Sequence, residues 1–182
     1  SEAARVCFPL AGCVAQHTAA EHGRLDPNLS LVARATRGGE EHLWAVLQEA
    51  FPQPAAPALR LPLFFTKSSA SQSAGLAFLE RAKVRTEDRD TDNGGAVTDP
   101  QAKALITWCA TPDPEHAILR AIRQPALVVS GSHDTMLPAD NAYAMFKALS
   151  NAQLILYPDS GHGALFQYHE LFVSHVRTFL EA

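Results

Sequence analysis

The sequence has few cysteines and no long apolar run, and these absences exclude several classes of protein. Its 182 residues include three cysteines, Cys7, Cys13 and Cys109, an odd number with no C-x-x-C pair and no His-paired zinc spacing. We therefore expect neither a disulfide framework nor a structural metal, and we place the protein in a reducing cytoplasm. No stretch approaches the ~20 apolar residues of a membrane-spanning helix. No charged segment precedes a short apolar one, so a membrane or secretory segment is not expected either.

The sequence also lacks an excess of positive charge. There are 15 Lys and Arg against 19 Asp and Glu, for a formal net charge of -4, and the basic residues are scattered. This charge pattern gives no reason to expect nucleic acid as a partner. The hydrophobic fraction of 47% and the charged fraction of 19% are ordinary for a globular protein. The length suits one domain with a core, or a core with a small lid.

What the sequence does contain is an alternation of short apolar strands and helices at both of its ends. Four apolar runs bounded by turn residues predict strands at residues 3–8, 29–35, 126–130 and 153–157. Helices are predicted from Pro9 to about Gly23, from Pro138 onwards, and over a last segment that carries Phe172 and Phe179. Four strands separated by helices predict an α/β fold with a parallel sheet.

Residues 37–122 have a different character, because apolar residues recur there at helical spacing. The groups are Leu43, Leu47 and Ala50; Phe78, Leu79 and Ala82; Leu105, Ile106 and Cys109; and Ile118, Ala121 and Ile122. A Pro-rich link (52–62) and a polar link (86–98) separate them. A run of short helices between two strands is typical of a cap. We therefore divide the chain into a core segment at 1–36, a helical cap at 37–122 and a second core segment at 123–182.

Two of the predicted strands end in Gly-containing turns that each present one titratable side chain. Asp134 follows strand 126–130, and His162 follows strand 153–157. Because the carboxyl ends of parallel strands lie at one edge of the sheet, this pattern predicts an acid–base pair. Each residue also has an ordinary interpretation. Asp134 could cap the helix that begins near Pro138, and His162 could be a turn histidine.

The segments Leu127–Asp134 and Tyr157–Gly163 resemble the acid and histidine segments of the α/β-hydrolase fold family. The resemblance extends through residues 166–168 and the last helix, and upstream through residues 36–39 and the cap. It implies a truncated α/β-hydrolase-like parallel sheet of about four strands with an inserted helical cap. It also implies a small acyl substrate such as a carboxylic ester, no cofactor, and a base, His162, that Asp134 orients. The family order of nucleophile, acid and histidine puts the nucleophile upstream.

The sequence departs from this family at the nucleophile elbow. Residues 7–12, Cys-Phe-Pro-Leu-Ala-Gly, stand where a G-x-S-x-G turn is expected, so Pro9 occupies the place of the nucleophilic serine. Proline has no hydroxyl, and its φ does not suit a strained elbow, whereas the first position of a helix is its ordinary place. Ser132 and Ser160 each precede the acid or the base by two residues and could replace the nucleophile. The ordinary role of such serines is local backbone hydrogen bonding.

A second departure is that no strand is predicted before the elbow strand, where the family has several. The edge of strand 3–8 would then be an unpaired apolar edge. We therefore expect another chain to cover it, either a second copy in a homo-oligomer or a missing N-terminal half.

Three functions stay open at this point. The chain could hydrolyse esters, with His162 as the base and a serine or a water molecule attacking. It could instead bind a small apolar ligand without catalysis. The aromatic residues of the cap would form its core or line such a pocket: Trp44, Phe64, Phe65, Phe78 and Trp108. The chain could also be a fragment whose main property is assembly through the open sheet edge.

Overall fold

The computed structural model describes residues 5–8, 11–23, 28–32, 61–89 and 95–182, and these ranges are arranged around a four-stranded sheet. Its strands are β1 (Arg5–Cys7), β2 (Leu29–Val32), β3 (Ala126–Gly131) and β4 (Ala152–Tyr157). They lie in the order β1-β2-β3-β4, and every neighbouring pair is parallel. The predicted α/β class and parallel sheet are therefore confirmed. Among the described residues β1 pairs on one side only, so the covering of its other edge by a further chain stays a prediction.

Helices connect the strands and follow the last of them. They are α1 (Ala11–Glu21), α2 (Ser69–Val84), α3 (Gly95–Ala110), α4 (Ala117–Ala121), α5 (Ala139–Ala148), α6 (Ala164–Gln167) and α7 (His169–Leu180). The cap groups around Phe78, Leu105 and Ile118 fall in or beside α2, α3 and α4, whereas the group around Leu43 lies outside the described residues. Within the described ranges, none of the helices combines the length and the apolar character that a membrane crossing requires.

One predicted boundary was wrong. The polar link was placed at residues 86–98, but α3 already begins at Gly95. Glycine is accepted at the beginning of a helix, and Gly95 is the first residue of α3.

Side-chain alternation along the strands divides the core between the two faces of the sheet. On one face, strand residues Leu29, Leu31, Ala126 and Val128 pack with Ala15, Ala19, Leu119, Ala142 and Met145 of α1, α4 and α5. On the other, Val32, Leu127, Val129 and Tyr157 pack with Ala164, Phe172 and Phe179 of α6 and α7. Residues 126–129 are completely buried, which explains why β3 is a continuous apolar run in the sequence. The packing on both faces of the sheet fixes the positions at which β3 and β4 end.

A third cluster places α3 beside the turn that follows β3. It contains Cys13, Leu105, Cys109, Met136 and Leu137. Cys7 is buried in the cluster that α1 forms with the sheet. The cysteines thus lie in the core, as expected for small apolar residues.

The end of β3 lies in contact with the turn that follows β4. The Ser132 N–H donates to the Tyr157 carbonyl (2.9 Å), and the His133 N–H donates to the Ser160 carbonyl (2.9 Å). A Cβ on Gly131 would lie against the carbonyl oxygens of Ser160 and Gly161, closer than real Cβ atoms approach. Glycine at 131 therefore allows the two turns to meet.

We expect Gly131→Ala to lower the free energy of unfolding by about 2 kcal/mol, because two backbone segments would have to separate. Urea unfolding measures the loss. Gly23→Ala is the matched control, since a Cβ there meets only the end of the Gln124 side chain, and we expect it to cost clearly less. Equal losses in the two variants would contradict this account of Gly131.

Candidate active site

The turn after β3 holds the Asp134 carboxylate by both of its oxygens. Oδ1 accepts from the backbone N–H groups of Met136 (2.9 Å) and Leu137 (2.8 Å). Oδ2 lies 2.9 Å from Nδ1 of His162. The side chain is almost completely buried. One oxygen therefore satisfies the backbone of the turn, and the other faces the histidine. The interpretation of Asp134 as the cap of α5 was wrong, because the N-cap of that helix is Pro138 and no side chain caps it.

His162 is held by its ring and by its backbone. Its exposed fraction is 1%. Because Asp134 Oδ2 is an acceptor, the imidazole donates from Nδ1, which leaves Nε2 as the nitrogen that can accept a proton. Nε2 is buried and has no hydrogen-bond partner in the part of the chain that the structure describes. The backbone N–H of His162 donates to the Leu63 carbonyl (3.2 Å), and that of Gly163 donates to the Phe64 carbonyl (3.0 Å).

Aromatic rings surround the imidazole. The ring centroids of Phe8 and Phe64 lie 5.2 and 5.7 Å from that of His162. Phe166 packs against both of these phenylalanines, and Phe78 stacks on Phe166 at 4.6 Å. Such apolar surroundings lower the local dielectric constant and strengthen the hydrogen bond to Asp134.

These rings test part of what the sequence predicted for the aromatic residues. Phe64 and Phe78 lie at or near the histidine, and Phe65 packs against Phe78 at 5.9 Å. Trp108 lies against the α3 cluster instead. Trp44 is outside the described residues.

The two candidate serines are not brought to His162. The Ser132 hydroxyl is exposed and lies 2.8 Å from Nδ1 of the neighbouring His133. The Ser160 hydroxyl is completely buried and donates to the Tyr157 carbonyl (2.9 Å). Ser160 thus has the local backbone hydrogen bond that is ordinary for a turn serine, whereas the partner of Ser132 is a neighbouring side chain. Pro9, at the predicted elbow, lies outside the described residues.

Tyr157 fixes the strand end from which the histidine turn begins. It is 2% exposed, and its hydroxyl lies 2.8 Å from Nδ1 of His175 in α7. Burial raises the pKa of Tyr157 to about 12. The phenol therefore stays protonated well above neutral pH.

Sequence reasoning missed a group of polar residues that joins this turn to the segment before α2. The carboxylate of Asp159 accepts hydrogen bonds from the hydroxyls of Thr66 (2.6 Å) and Ser68 (2.5 Å). The hydrogen bonds from Ser68 and Thr66 hold the pKa of Asp159 below its usual range. The only sequence signal was that serine is a common helix N-cap, and no local pattern relates Ser68 to a residue 91 positions away.

Known proteins resemble this chain in sequence and in fold. The α/β-hydrolase family model described as "TAP-like protein" matches residues 97–182. An α/β-hydrolase fold protein from Chitinophaga pinensis has a TM-score of 0.81 and 34% identity, over 93% of this chain and 61% of that one. A segment of 58 residues, which is 32% of this chain, aligns with 23% of the pimeloyl-acyl-carrier-protein methyl ester esterase of Nitrosomonas europaea. The two sequences are 38% identical over that segment. The enol-lactonase of Burkholderia xenovorans has a TM-score of 0.70 and 20% identity, over 100% of this chain and 66% of that one.

The chain has the α/β-hydrolase fold, which its acid and histidine segments predicted. It spans 61% of the Chitinophaga protein, and the segment that matches the Nitrosomonas esterase covers 23% of that enzyme. The similar proteins include esterases and other hydrolases.

Asp159 makes the stability of the fold depend on pH. Because the pKa of its carboxyl is lowered on folding, its contribution is present above the unfolded pKa of ~3.9 and is lost as the pH falls through the lower folded value. We expect Asp159→Asn to be less stable than the wild type at pH ~7, and the difference to narrow at pH ~3. Urea unfolding at both pH values measures it. A difference of the same size at both would contradict the assignment.

Proposed function

We propose that this chain belongs to an enzyme that hydrolyses carboxylic esters or related small acyl substrates, with His162 as the general base. The observation that carries the proposal is the buried hydrogen bond of 2.9 Å between His162 Nδ1 and Asp134 Oδ2. It fixes the tautomer with a bare Nε2, and the carboxylate stabilises the imidazolium that forms when Nε2 takes a proton.

The attacking group is a water molecule in this proposal. Pro9 stands at the sequence position of the elbow serine, and the hydroxyls of Ser132 and Ser160 are engaged elsewhere. The water oxygen forms a bond to the carbonyl carbon while its proton passes to Nε2. When the tetrahedral intermediate collapses, the bond to the leaving oxygen breaks, and the imidazolium returns the proton to that oxygen. The products are a carboxylic acid and an alcohol.

The surroundings of His162 support a small apolar acyl group. The rings of Phe8 and Phe64 provide apolar surface beside the imidazole, and Phe166 packs against both rings. The names of two similar proteins, a methyl ester esterase and an enol-lactonase, each describe the cleavage of an ester bond by that protein. Together these observations favour esters over charged or strongly polar substrates.

A second candidate function is the binding of a small apolar ligand without turnover. The observation that favours it is the burial of Nε2 beside the Phe8 and Phe64 rings, which limits the approach of water. In this version the acid–histidine pair is a structural element of the pocket.

Hydrolysis of short-chain p-nitrophenyl esters separates the two functions. We expect His162→Ala to lower kcat/KM by about 100-fold or more, since a general base contributes about that much. Asp134→Asn should also lower it, because the imidazole loses the group that fixes its tautomer. His169→Ala, which removes an exposed histidine of α7, is the matched control and should leave the rate unchanged.

Equal rates for the wild type and His162→Ala would contradict the enzyme proposal. In that case, thermal stabilisation by the ester's acid product or a similar apolar acid, without turnover, would support the binding function. Treatment with a fluorophosphonate probe tests the water mechanism separately, because an adduct on Ser132 or Ser160 would identify that serine, and not water, as the nucleophile.

A further inference from the structure

In the turn between β4 and His162, the carboxylate of Asp159 forms hydrogen bonds to the segment before α2, residues 63–68. Asp159 has a positive φ of 44°, which few non-glycine residues adopt and which aspartate tolerates better than most. Its Oδ1 accepts from Thr66 Oγ1 at 2.6 Å, and its Oδ2 accepts from Ser68 Oγ at 2.5 Å. Ser68 is also the N-cap of α2 and accepts from the Ser71 N–H (3.1 Å). Charge-assisted hydrogen bonds of this length are among the stronger ones in proteins.

A second arm joins the same two segments. The Gln167 side chain donates to the Asp159 carbonyl (2.8 Å) and accepts from the Ser71 hydroxyl (2.7 Å). The Ser71 hydroxyl in turn accepts from the Thr66 N–H (2.8 Å), and Ser71 is completely buried. Asp159 and Gln167 therefore both form hydrogen bonds to residues 66–71 and hold them beside the histidine turn.

The segment at residues 63–68 also contacts His162 directly. Leu63 and Phe64, which lie just before Thr66, accept the backbone N–H groups of His162 (3.2 Å) and Gly163 (3.0 Å) through their carbonyls. The Phe64 ring packs on the imidazole. A Cβ on Gly163 would lie within 2.5 Å of Phe64 Cβ, which shows how closely the two segments approach.

We propose that Asp159 is a positioning residue for His162. It holds residues 63–68 across the histidine turn, and that segment fixes the His162 backbone and keeps the Phe64 ring against the imidazole. The catalytic meaning of this positioning rests on the proposed function. The hydrogen bonds of Asp159 to Thr66 and Ser68, which we call the clamp, are a property of the folded chain and are tested without substrate.

Hydrogen exchange followed by NMR tests the clamp at the two amides it protects. In Asp159→Ala we expect the amides of His162 and Gly163 to exchange about tenfold faster than in the wild type, as expected for the loss of hydrogen bonds to a charged group. The amides of Val128 and Val129 in the central strand should keep their rates. Asp99→Asn, at an exposed position of α3, is the control and should change neither set.

A double-mutant cycle distinguishes the clamp from a general loss of structure. Thr66→Val removes one donor and keeps the shape of the side chain, so it should speed exchange at 162 and 163 in the wild type. It should add little in the Asp159→Ala background, because the hydrogen bond is already absent there. If Asp159→Ala does not fold, Thr66→Val alone still provides the comparison with Val128 and Val129.

The result that overturns the proposal is unchanged exchange at His162 and Gly163, or acceleration by the same factor in the central strand. Where ester hydrolysis is present, Asp159→Ala should also lower kcat. Absence of any His162-dependent turnover would contradict the proposed function and leave the exchange result intact, so the two failures are distinguishable.

Discussion

The hydrogen bond between Asp134 and His162 joins the turns that follow two neighbouring parallel strands, and backbone hydrogen bonds constrain both of its partners. A carboxylate and an imidazole that are both removed from water must be well oriented, since burial of poorly paired polar groups is costly. The backbone of residues 136 and 137 fixes the acid, and the carbonyl of Leu63 fixes the histidine. The pair is thereby held in one geometry.

Two further constraints close the site. The approach of Gly131 to the Ser160–Gly161 backbone fixes the distance between the acid turn and the histidine turn. Asp159 and Gln167 hold the segment that precedes α2, which includes Phe64, against the histidine turn. The first constraint determines whether the pair can form, and the second determines what lies over it. An apolar ring, Phe64, is the result.

The sequence predicted the elements that follow from local pattern and the pair that follows from topology. Four apolar runs became four strands, and parallel strands place their carboxyl ends at one edge, so Asp134 and His162 were expected to meet. The contacts between Asp159 and Thr66 or Ser68 could not be predicted, because they join residues more than 90 positions apart without a periodic signal. The partners of Ser132 and Ser160 depend on backbone directions within two tight turns, which composition does not reveal.

The central claim is that His162 presents a bare Nε2 because its Nδ1–H donates a hydrogen bond to Asp134. Nitrogen-15 NMR of the imidazole at neutral pH measures this directly, with Asp134→Asn as the comparison. The account predicts that the His162 imidazole of the wild type carries its proton on Nδ1, and that the fraction of molecules with the proton on Nδ1 falls in Asp134→Asn. A proton on Nε2 in the wild type, or the same spectrum in both proteins, would contradict it.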